Sequence, residues 1–250
     1  MGINGKQIVI TGGANGIGAE TAKLFSSMGA KVLILDKDDA AAIGLTRRYG
    51  IDFMHVDLAD SNQVQKISTD IEKMDVDVLI NNASRNSRFS VIDTELDEWN
   101  YMIALNLTAP FLLSKAAAKS MIRRGTRGKI INISAIQAIM PLESSFPYAT
   151  VKGGLISMTK SMAVDLGRYG IQVITVLPGP IYTEGEPPQD LDRRAATALG
   201  RMGRAIEVAK LLAFLSSDDN TFMTGNIIVI DGGRLIMRRQ DPTEISQGII

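Results

Sequence analysis

Short runs of apolar residues alternate along this chain with longer stretches of helical periodicity. Runs such as Ile8-Val9-Ile10 and Val32-Leu33-Ile34-Leu35 are apolar at every position, which is typical of strands buried on both faces of a parallel sheet. The pattern predicts seven strands, at Gln7–Thr11, Lys31–Leu35, Ile51–Val56, Val76–Ile80, Lys129–Ile133, Gln172–Leu177 and Asn226–Ile230.

The segments between these strands repeat apolar residues every three or four positions, as helices that pack on a core do. Pro110 falls inside the longest of them, and we expect a kink or a join there because proline lacks the backbone N–H. The predicted helices cover residues 17–28, 38–49, 61–74, 96–124, 148–169 and 206–216.

Regular alternation of strands and helices predicts an α/β fold: a doubly wound, seven-stranded parallel sheet with helices on both faces, of the Rossmann type. We expect a single domain over residues 1–250, because no linker or repeat interrupts the pattern. A Pro-rich, charged loop at about 183–204, with a short helix at 190–199, is predicted to be a substrate lid. A C-terminal tail follows at 234–250.

Composition and charge narrow the class of protein. The 27 basic residues are balanced by 27 acidic ones, which argues against a nucleic-acid partner. The absence of cysteine excludes disulfides and thiolate chemistry, and a single histidine cannot build a metal site, so we expect no metal. No apolar run approaches the ~20 residues that span a bilayer, and no signal-like segment precedes the first strand. We therefore expect a cytoplasmic protein with no membrane partner.

A glycine-rich turn joins the first predicted strand to the first helix, with Gly12, Gly16 and Gly18 in the sequence TGGANGIG. Such a turn lets backbone amides at a helix N-terminus approach a pyrophosphate. Asp36 ends the second strand, where a carboxylate accepts hydrogen bonds from a ribose diol and repels a 2′-phosphate. The sequence thus predicts a dinucleotide site that favours NAD over NADP, an inference that the neighbouring Lys37 weakens.

Tyr148 and Lys152 are four residues apart at the start of a predicted helix, so both side chains lie on one face. The nearby ammonium and the positive end of the helix are expected to lower the pKa of the phenol, which is ordinarily near 10. Ser134 ends the fifth strand, where its hydroxyl could hold a substrate oxygen beside that phenol.

Taken together, these motifs resemble the short-chain dehydrogenase/reductase family over Lys6 to Gly233. The matching segments follow the family's order, namely TGGANGIG at 11–18, Asp57-Leu58, Asn81-Asn82-Ala83, Asn106 in ALNLTAPF, Ser134 in INISA, Tyr148 and Lys152 in YATVK, Pro178-Gly179 in VLPGPIYT, and TGNIIVIDGG at 224–233.

The resemblance implies a role for each matching residue. Tyr148 would exchange a proton with the substrate oxygen, Ser134 would orient that oxygen, and Lys152 would lower the pKa of the tyrosine and bind the nicotinamide ribose. Asn106 would hold a water molecule in a proton relay. The implied cofactor contacts are Gly12, Asn15, Gly16, Ile17, Gly18, Asp36, Lys37, Asp57, Leu58, Asn82, Ala83, Tyr148, Lys152, Pro178, Gly179, Ile181 and Thr183.

The same resemblance implies a homotetramer acting on a small-molecule alcohol or ketone. The chain departs from the family at Ser84, where glycine is usual, and at Ala135–Ala138, which lacks the common second serine and the glycine. Two alternatives stay open: an NADPH-dependent ketoreductase, for example of oxoacyl substrates, and a non-catalytic protein that senses dinucleotides. Arg85 and Arg88 could also anchor an acidic substrate, unless they are solvated or ion-paired.

Overall fold

The computed structural model of the protein, which describes residues 2–183 and 197–237, contains the predicted seven-stranded sheet. Its strands lie in the order β3-β2-β1-β4-β5-β6-β9, and every pair is parallel. Their bounds are β1 Gln7–Thr11, β2 Lys31–Asp36, β3 Asp52–His55, β4 Val78–Asn81, β5 Lys129–Ile133, β6 Gln172–Pro178 and β9 Ile227–Ile230. The predicted fold class is confirmed.

Helices cover both faces of this sheet. They are α1 Gly16–Ser27, α2 Asp39–Tyr49, α3 Ser61–Lys73, α4 Leu96–Ile103, α5 Ala109–Arg124, α6 Phe146–Leu166 and α7 Ala205–Ser216. Along β1, Ile8 and Ile10 pack in the layer that contains α1, α2 and α7, whereas Val9 packs in the layer of α3 and α5. Burial on both faces explains why the strands are apolar at consecutive positions.

The long helix predicted over 96–124 is interrupted where Pro110 indicated a join. A π-helical turn, Ala104–Thr108, separates α4 from α5, and the N–H of Ala109 bonds the carbonyl of Ala104. Pro110 has no N–H to donate to the carbonyl four residues earlier, that of Asn106. The distorted turn therefore contains Asn106, a residue implied to be functional.

This same stretch is long and apolar enough to cross a membrane by length and composition, although the sequence pattern predicts no such span. More than half of its most apolar window is buried inside the protein. α5 packs against α3, and α4 packs against α6. Packing in the core accounts for the apolar composition of this helix.

The structure contains two short strands that the sequence pattern does not predict. β7, Ile181–Tyr182, pairs in parallel with β8, Gly203–Arg204. Two residues are too few to carry a periodic signal. Most of the predicted lid and of the predicted helix at 190–199 lies outside the described residues, as does the tail from 238 onward.

A buried lysine at the start of β5 should give the protein a measurable pH dependence of stability. Lys129 is 4% exposed and donates hydrogen bonds to the Gln172 side chain and the Asn220 carbonyl. Burial, reinforced by the nearby Lys6, lowers the pKa of Lys129 to about 8. Above that pH the unfolded chain binds more protons than the folded one, so stability should rise from about pH 8 to about pH 10.5.

Lys129→Met should reduce this rise in the free energy of unfolding. The reduction should be at most about 3 kcal/mol, since each pKa unit corresponds to ~1.4 kcal/mol. Thermal unfolding from pH 7 to 10.5 at constant protein concentration measures it. The exposed Lys66 on α3 supplies the control, Lys66→Met, which should keep the parent profile. A Lys129→Met profile parallel to that of the parent would show that this amine does not titrate as described.

Candidate active site

The main cleft opens at the carboxyl ends of β1 and β4, where the order of strands in the sheet reverses. Open α/β sheets bind ligands at this point. The cavity has a volume of about 490 Å³. Its lining consists of Gly12, Asn15, Gly16, Ile17, Asp36, Lys37, Val56, Asp57, Leu58, Asn82, Ala83, Ser84, Arg85, Tyr101, Leu105 and Thr183.

A larger groove of about 740 Å³ lies between α2 and β3. Gln7 and Asp52, which begin β1 and β3, contribute to it, so it lies toward the amino ends of the strands. The expected location of a ligand in this fold is the opposite edge, and we assign the functional site to the smaller cavity.

The glycine-rich turn forms a cradle that larger residues would fill. Gly12 has φ +61°, and a Cβ there would lie 2.7 Å from Cα of Ala83. Gly16 has φ +56° and begins α1, whose N-terminus receives no side-chain capping bond. Uncapped amides facing a cavity fit a pyrophosphate.

Two of the implied cofactor residues act on the turn itself. A Cβ on Gly18 would come within 2.1 Å of the Gly12 carbonyl oxygen, and Gly18 does not line the cavity. The Asn82 amide donates to the carbonyls of Thr11 and Gly12 at 3.0 and 2.9 Å. The side chain of Asn82 therefore braces the turn, although the residue also lines the cavity.

Asp36 lies against the glycine-rich turn at the tip of β2. Its carboxylate accepts hydrogen bonds from the N–H groups of Ala14, Lys37 and Asp38 at 2.9, 2.8 and 3.1 Å. The ammonium of Lys37 points to a different carboxylate, that of Asp57, at 3.3 Å. Asp36 thus keeps a negative charge in the cavity that the neighbouring lysine does not pair with directly.

Tyr148 and Lys152 lie near the N-terminus of α6, beside the end of β5. The Lys152 ammonium is 5.6 Å from the centroid of the Tyr148 ring and donates to the Ile133 carbonyl at 3.0 Å. Burial raises the pKa of Tyr148 to about 12 and lowers the pKa of Lys152 to about 7. The pKa of Tyr148 moves opposite to the sequence-based prediction, because burial disfavours the charged phenolate.

Ser134 is 3% exposed, and its hydroxyl donates to the backbone carbonyl of Lys152 at 2.8 Å. In this arrangement the serine fixes the helix that carries Lys152. Donation to a substrate oxygen, as the resemblance implies, would require that bond to break. The next residue, Ala135, has no hydroxyl. The orienting role of Ser134 stays a prediction that the structure does not favour.

Asn106 is buried in the π-helical turn, which packs against α6. Its amide donates to the Met102 carbonyl at 3.1 Å, and its side-chain oxygen accepts a hydrogen bond from the Ser84 hydroxyl at 2.7 Å. Ser84 is the residue that departs from the family's glycine. Its hydroxyl links the cavity wall to Asn106, a contact that the sequence did not reveal.

The segment after β6 contributes one residue to the lining of this cavity. Thr183 lines it, but Pro178, Gly179 and Ile181 do not. A Cβ on Gly179 would lie 2.6 Å from Cα of Asp231, and Ile181 pairs with β8 and borders a separate cavity of about 90 Å³. Tyr148 and Lys152 also lie outside the lining of the main cavity, and the cofactor contacts implied for all these residues stay predictions.

Five lining residues are not among the predicted cofactor contacts, namely Val56, Ser84, Arg85, Tyr101 and Leu105. Of these, Arg85 had been considered as an anchor for an acidic substrate. In the structure it forms an ion pair with Glu98 and stacks on the Tyr101 ring, 4.3 Å from its centroid. The Glu98 carboxylate neutralises the charge that such an anchor would need.

The fold and this cleft define a dinucleotide-binding α/β protein of the Rossmann type. A family model described as enoyl-(acyl carrier protein) reductase matches residues 12–234. Trans-4-hydroxycyclohexanecarboxylate dehydrogenase of Sinomonas cyclohexanicum is 36% identical, with 91% of this chain and 92% of that protein covered.

Two solved structures are similar over almost their whole length. That of 4-hydroxyisoleucine dehydrogenase complexed with NADH has a TM-score of 0.87 at 30% identity, covering 93% of this chain and 100% of the other. That of L-sorbose reductase from Gluconobacter frateurii complexed with NADPH has a TM-score of 0.86 at 27% identity, covering 95% and 99%. The chain belongs to the short-chain dehydrogenase/reductase family of oxidoreductases.

Proposed function

We propose that this protein transfers a hydride between NAD(H) and a small secondary alcohol or the corresponding ketone, with Tyr148 as the acid/base. The observation that carries the proposal is the placement of Tyr148 and Lys152 at the end of β5. β5 is the direct neighbour of β4, which borders the nucleotide-sized cavity. Carbonyl reduction requires a proton donor beside the hydride donor, and Tyr148 on α6, next to the end of β5, would supply that proton.

The choice of NAD rests on this chain's own residues, because similar structures contain either NADH or NADPH. The Asp36 carboxylate would accept a hydrogen bond from the adenosine ribose and repel a 2′-phosphate. Lys37, which could otherwise bind that phosphate, pairs with Asp57. This arrangement favours NAD over the alternative of an NADPH-dependent ketoreductase.

The chain's residues would divide the work as follows. When bound, the nicotinamide supplies the hydride chemistry. In reduction, the neutral Tyr148 phenol donates its proton to the substrate oxygen as that oxygen gains negative charge. In oxidation, Tyr148 takes the alcohol proton back. The phenolate that reduction leaves on Tyr148 would be stabilised by Lys152 while its amine is protonated. Ser134 holds the Lys152 backbone in place, and Asn106 and Ser84 form the adjoining polar wall.

Binding and turnover measured together distinguish the candidate functions. Titration calorimetry with NAD and NADP tests the preference for cofactor. A turnover screen with NAD should then include small hydroxy acids, diols and sugars, since the similar proteins named above are a hydroxy-acid dehydrogenase, a hydroxyisoleucine dehydrogenase and a sorbose reductase. Tight NAD binding without turnover on any secondary alcohol would favour the non-catalytic dinucleotide sensor. Absence of binding to either nucleotide would refute both.

We also propose a homotetramer, built from two separate exposed apolar surfaces. The first surface is the free edge of the sheet, with Ile227 and Val229 on β9 and Phe222, which is 98% exposed, beside it. The second is proposed on the helices α5 and α6, which carry the exposed apolar residues Phe111 and Val164 respectively. Two different self-complementary surfaces on one subunit generate a tetramer with dihedral symmetry.

Phe222→Asp should convert the tetramer to a dimer, because a carboxylate would be buried unpaired at the first surface only. Light scattering at micromolar concentration measures the mass, and Phe222→Leu is the control that should stay tetrameric. The side chain is almost fully exposed in the single chain, so neither change should alter the fold. A parent protein that is monomeric at this concentration would contradict the proposal.

A further inference from the structure

Four polar or aromatic residues form an outer rim beside the adenosine half of the proposed dinucleotide site, and two of them are not among the predicted cofactor contacts. Lys37 and Asp57 follow the ends of β2 and β3, and Arg85 and Tyr101 line the same cavity. The adenosine half is defined by Asp36, Asp57 and Leu58, the residues proposed to contact ribose and adenine.

Cationic groups contact Tyr101 at both its ring and its hydroxyl. The Arg85 guanidinium stacks on the ring at 4.3 Å, and Glu98, three residues before Tyr101 on α4, holds that guanidinium by an ion pair. Partial burial acts to lower the pKa of Lys37, but hydrogen bonds to Asp57 and Tyr101 raise it above its ordinary value. The tyrosine is therefore fixed in place at the edge of the cavity.

The surroundings of Tyr101 suit a flat base. Leu105 lies four residues further along, in the π-helical turn that follows α4, and it lines the same cavity as Tyr101. Leu58 adds apolar surface to the same lining. Nucleic-acid bases stack favourably on aromatic side chains, and a positioned ring loses little freedom when it binds.

We propose that Tyr101 is an adenine-binding residue and that Arg85 is the positioning residue that holds its ring over the base. This inference rests on the proposed function, because it assumes that a dinucleotide occupies the cavity. It assigns Arg85 to cofactor binding in place of the substrate. In this arrangement the Lys37 ammonium pairs with Asp57 in the rim and is not directed toward a 2′-phosphate.

The test separates the two halves of the cofactor. AMP carries the adenosine half alone, and nicotinamide mononucleotide carries the other half. Tyr101→Ala should weaken the binding of AMP and NAD by the same factor, roughly 5- to 150-fold, as for loss of one base–aromatic stack. Binding of nicotinamide mononucleotide, followed by ligand-observed NMR, should be unchanged. Arg85→Met should weaken AMP binding in the same direction by a smaller factor.

Tyr169→Ala is the matched control, since Tyr169 also stacks with an arginine, Arg168 at 5.0 Å, but does not line the cavity. It should leave all three affinities unchanged. AMP binding that is unaltered in Tyr101→Ala would overturn the inference, as would an equal loss for AMP and nicotinamide mononucleotide. If Tyr101→Ala does not fold, Arg85→Met decides by the same comparison. A parent protein that binds neither NAD nor AMP would instead refute the proposed function.

Discussion

Replacing Tyr148 by phenylalanine is expected to lower turnover by roughly 10²–10⁴-fold, the usual contribution of a positioned acid or base. The change removes only the hydroxyl and leaves the ring beside Lys152, so NAD binding should survive. Single-turnover kinetics with the best substrate from the screen, together with NAD titration, measure both quantities. Tyr169→Phe, which removes an exposed hydroxyl elsewhere, should behave like the parent.

The direction of the Tyr148 pKa adds a prediction about pH to the same experiment. Because burial raises this pKa to about 12, the phenol is protonated throughout the neutral range and is available as a proton donor. The rate of reduction should therefore stay independent of the ionisation of Tyr148 until the pH approaches about 12. Oxidation, which requires phenolate, should accelerate as the pH rises. A Tyr148→Phe variant with near-parent rates in both directions would eliminate the proposed mechanism.

Replacing Asp36 by asparagine is expected to reduce the preference for NAD over NADP by on the order of 10²-fold, since a charge repulsion of several kcal/mol near a 2′-phosphate disappears. Asparagine is nearly the same size and keeps an oxygen that can accept from the Ala14 N–H, so the glycine-rich turn should persist. The ratio of kcat/KM values for the two cofactors measures the change.

Asp38, two residues further on, supplies the control. Its carboxylate accepts hydrogen bonds from the Ala41 N–H and the Asn15 amide but does not line the cavity. Asp38→Asn should leave the cofactor ratio unchanged. A parent enzyme that uses NADP as well as NAD would show that Asp36 does not control the choice, whatever the variants do.

Loss of the Ser134 hydroxyl should have a smaller effect, but that effect distinguishes two roles for this residue. If its hydroxyl only supports the backbone of Lys152, as the 2.8 Å hydrogen bond indicates, loss of that hydroxyl should affect stability more than turnover. If it orients the substrate oxygen as the family resemblance implies, turnover should fall without a change in stability. The structure alone favours the first outcome.

Much of this protein could be predicted from its sequence, for reasons that are local. Consecutive apolar residues such as Ile8-Val9-Ile10 identify a strand buried on both faces, and strict alternation with helices then restricts the topology to a doubly wound sheet. The position of the glycine-rich turn and of Asp36 at strand ends follows directly, because parallel strands present their carboxyl ends at one edge. Even the interruption at Pro110 follows from the chemistry of a single residue.

The tertiary structure decided what depends on atoms far apart in the sequence. The direction of the Tyr148 pKa depends on burial, which no i, i+4 spacing reveals. The hydrogen bond from Ser134 to Lys152, and that from Ser84 to Asn106, join segments 18 and 22 residues apart. Arg85 and Tyr101 meet only because α4 lies beside the end of β4. Periodicity in the sequence indicates which side of a helix or strand is buried. The neighbours that determine a side chain's pKa and hydrogen bonds depend on how the elements pack.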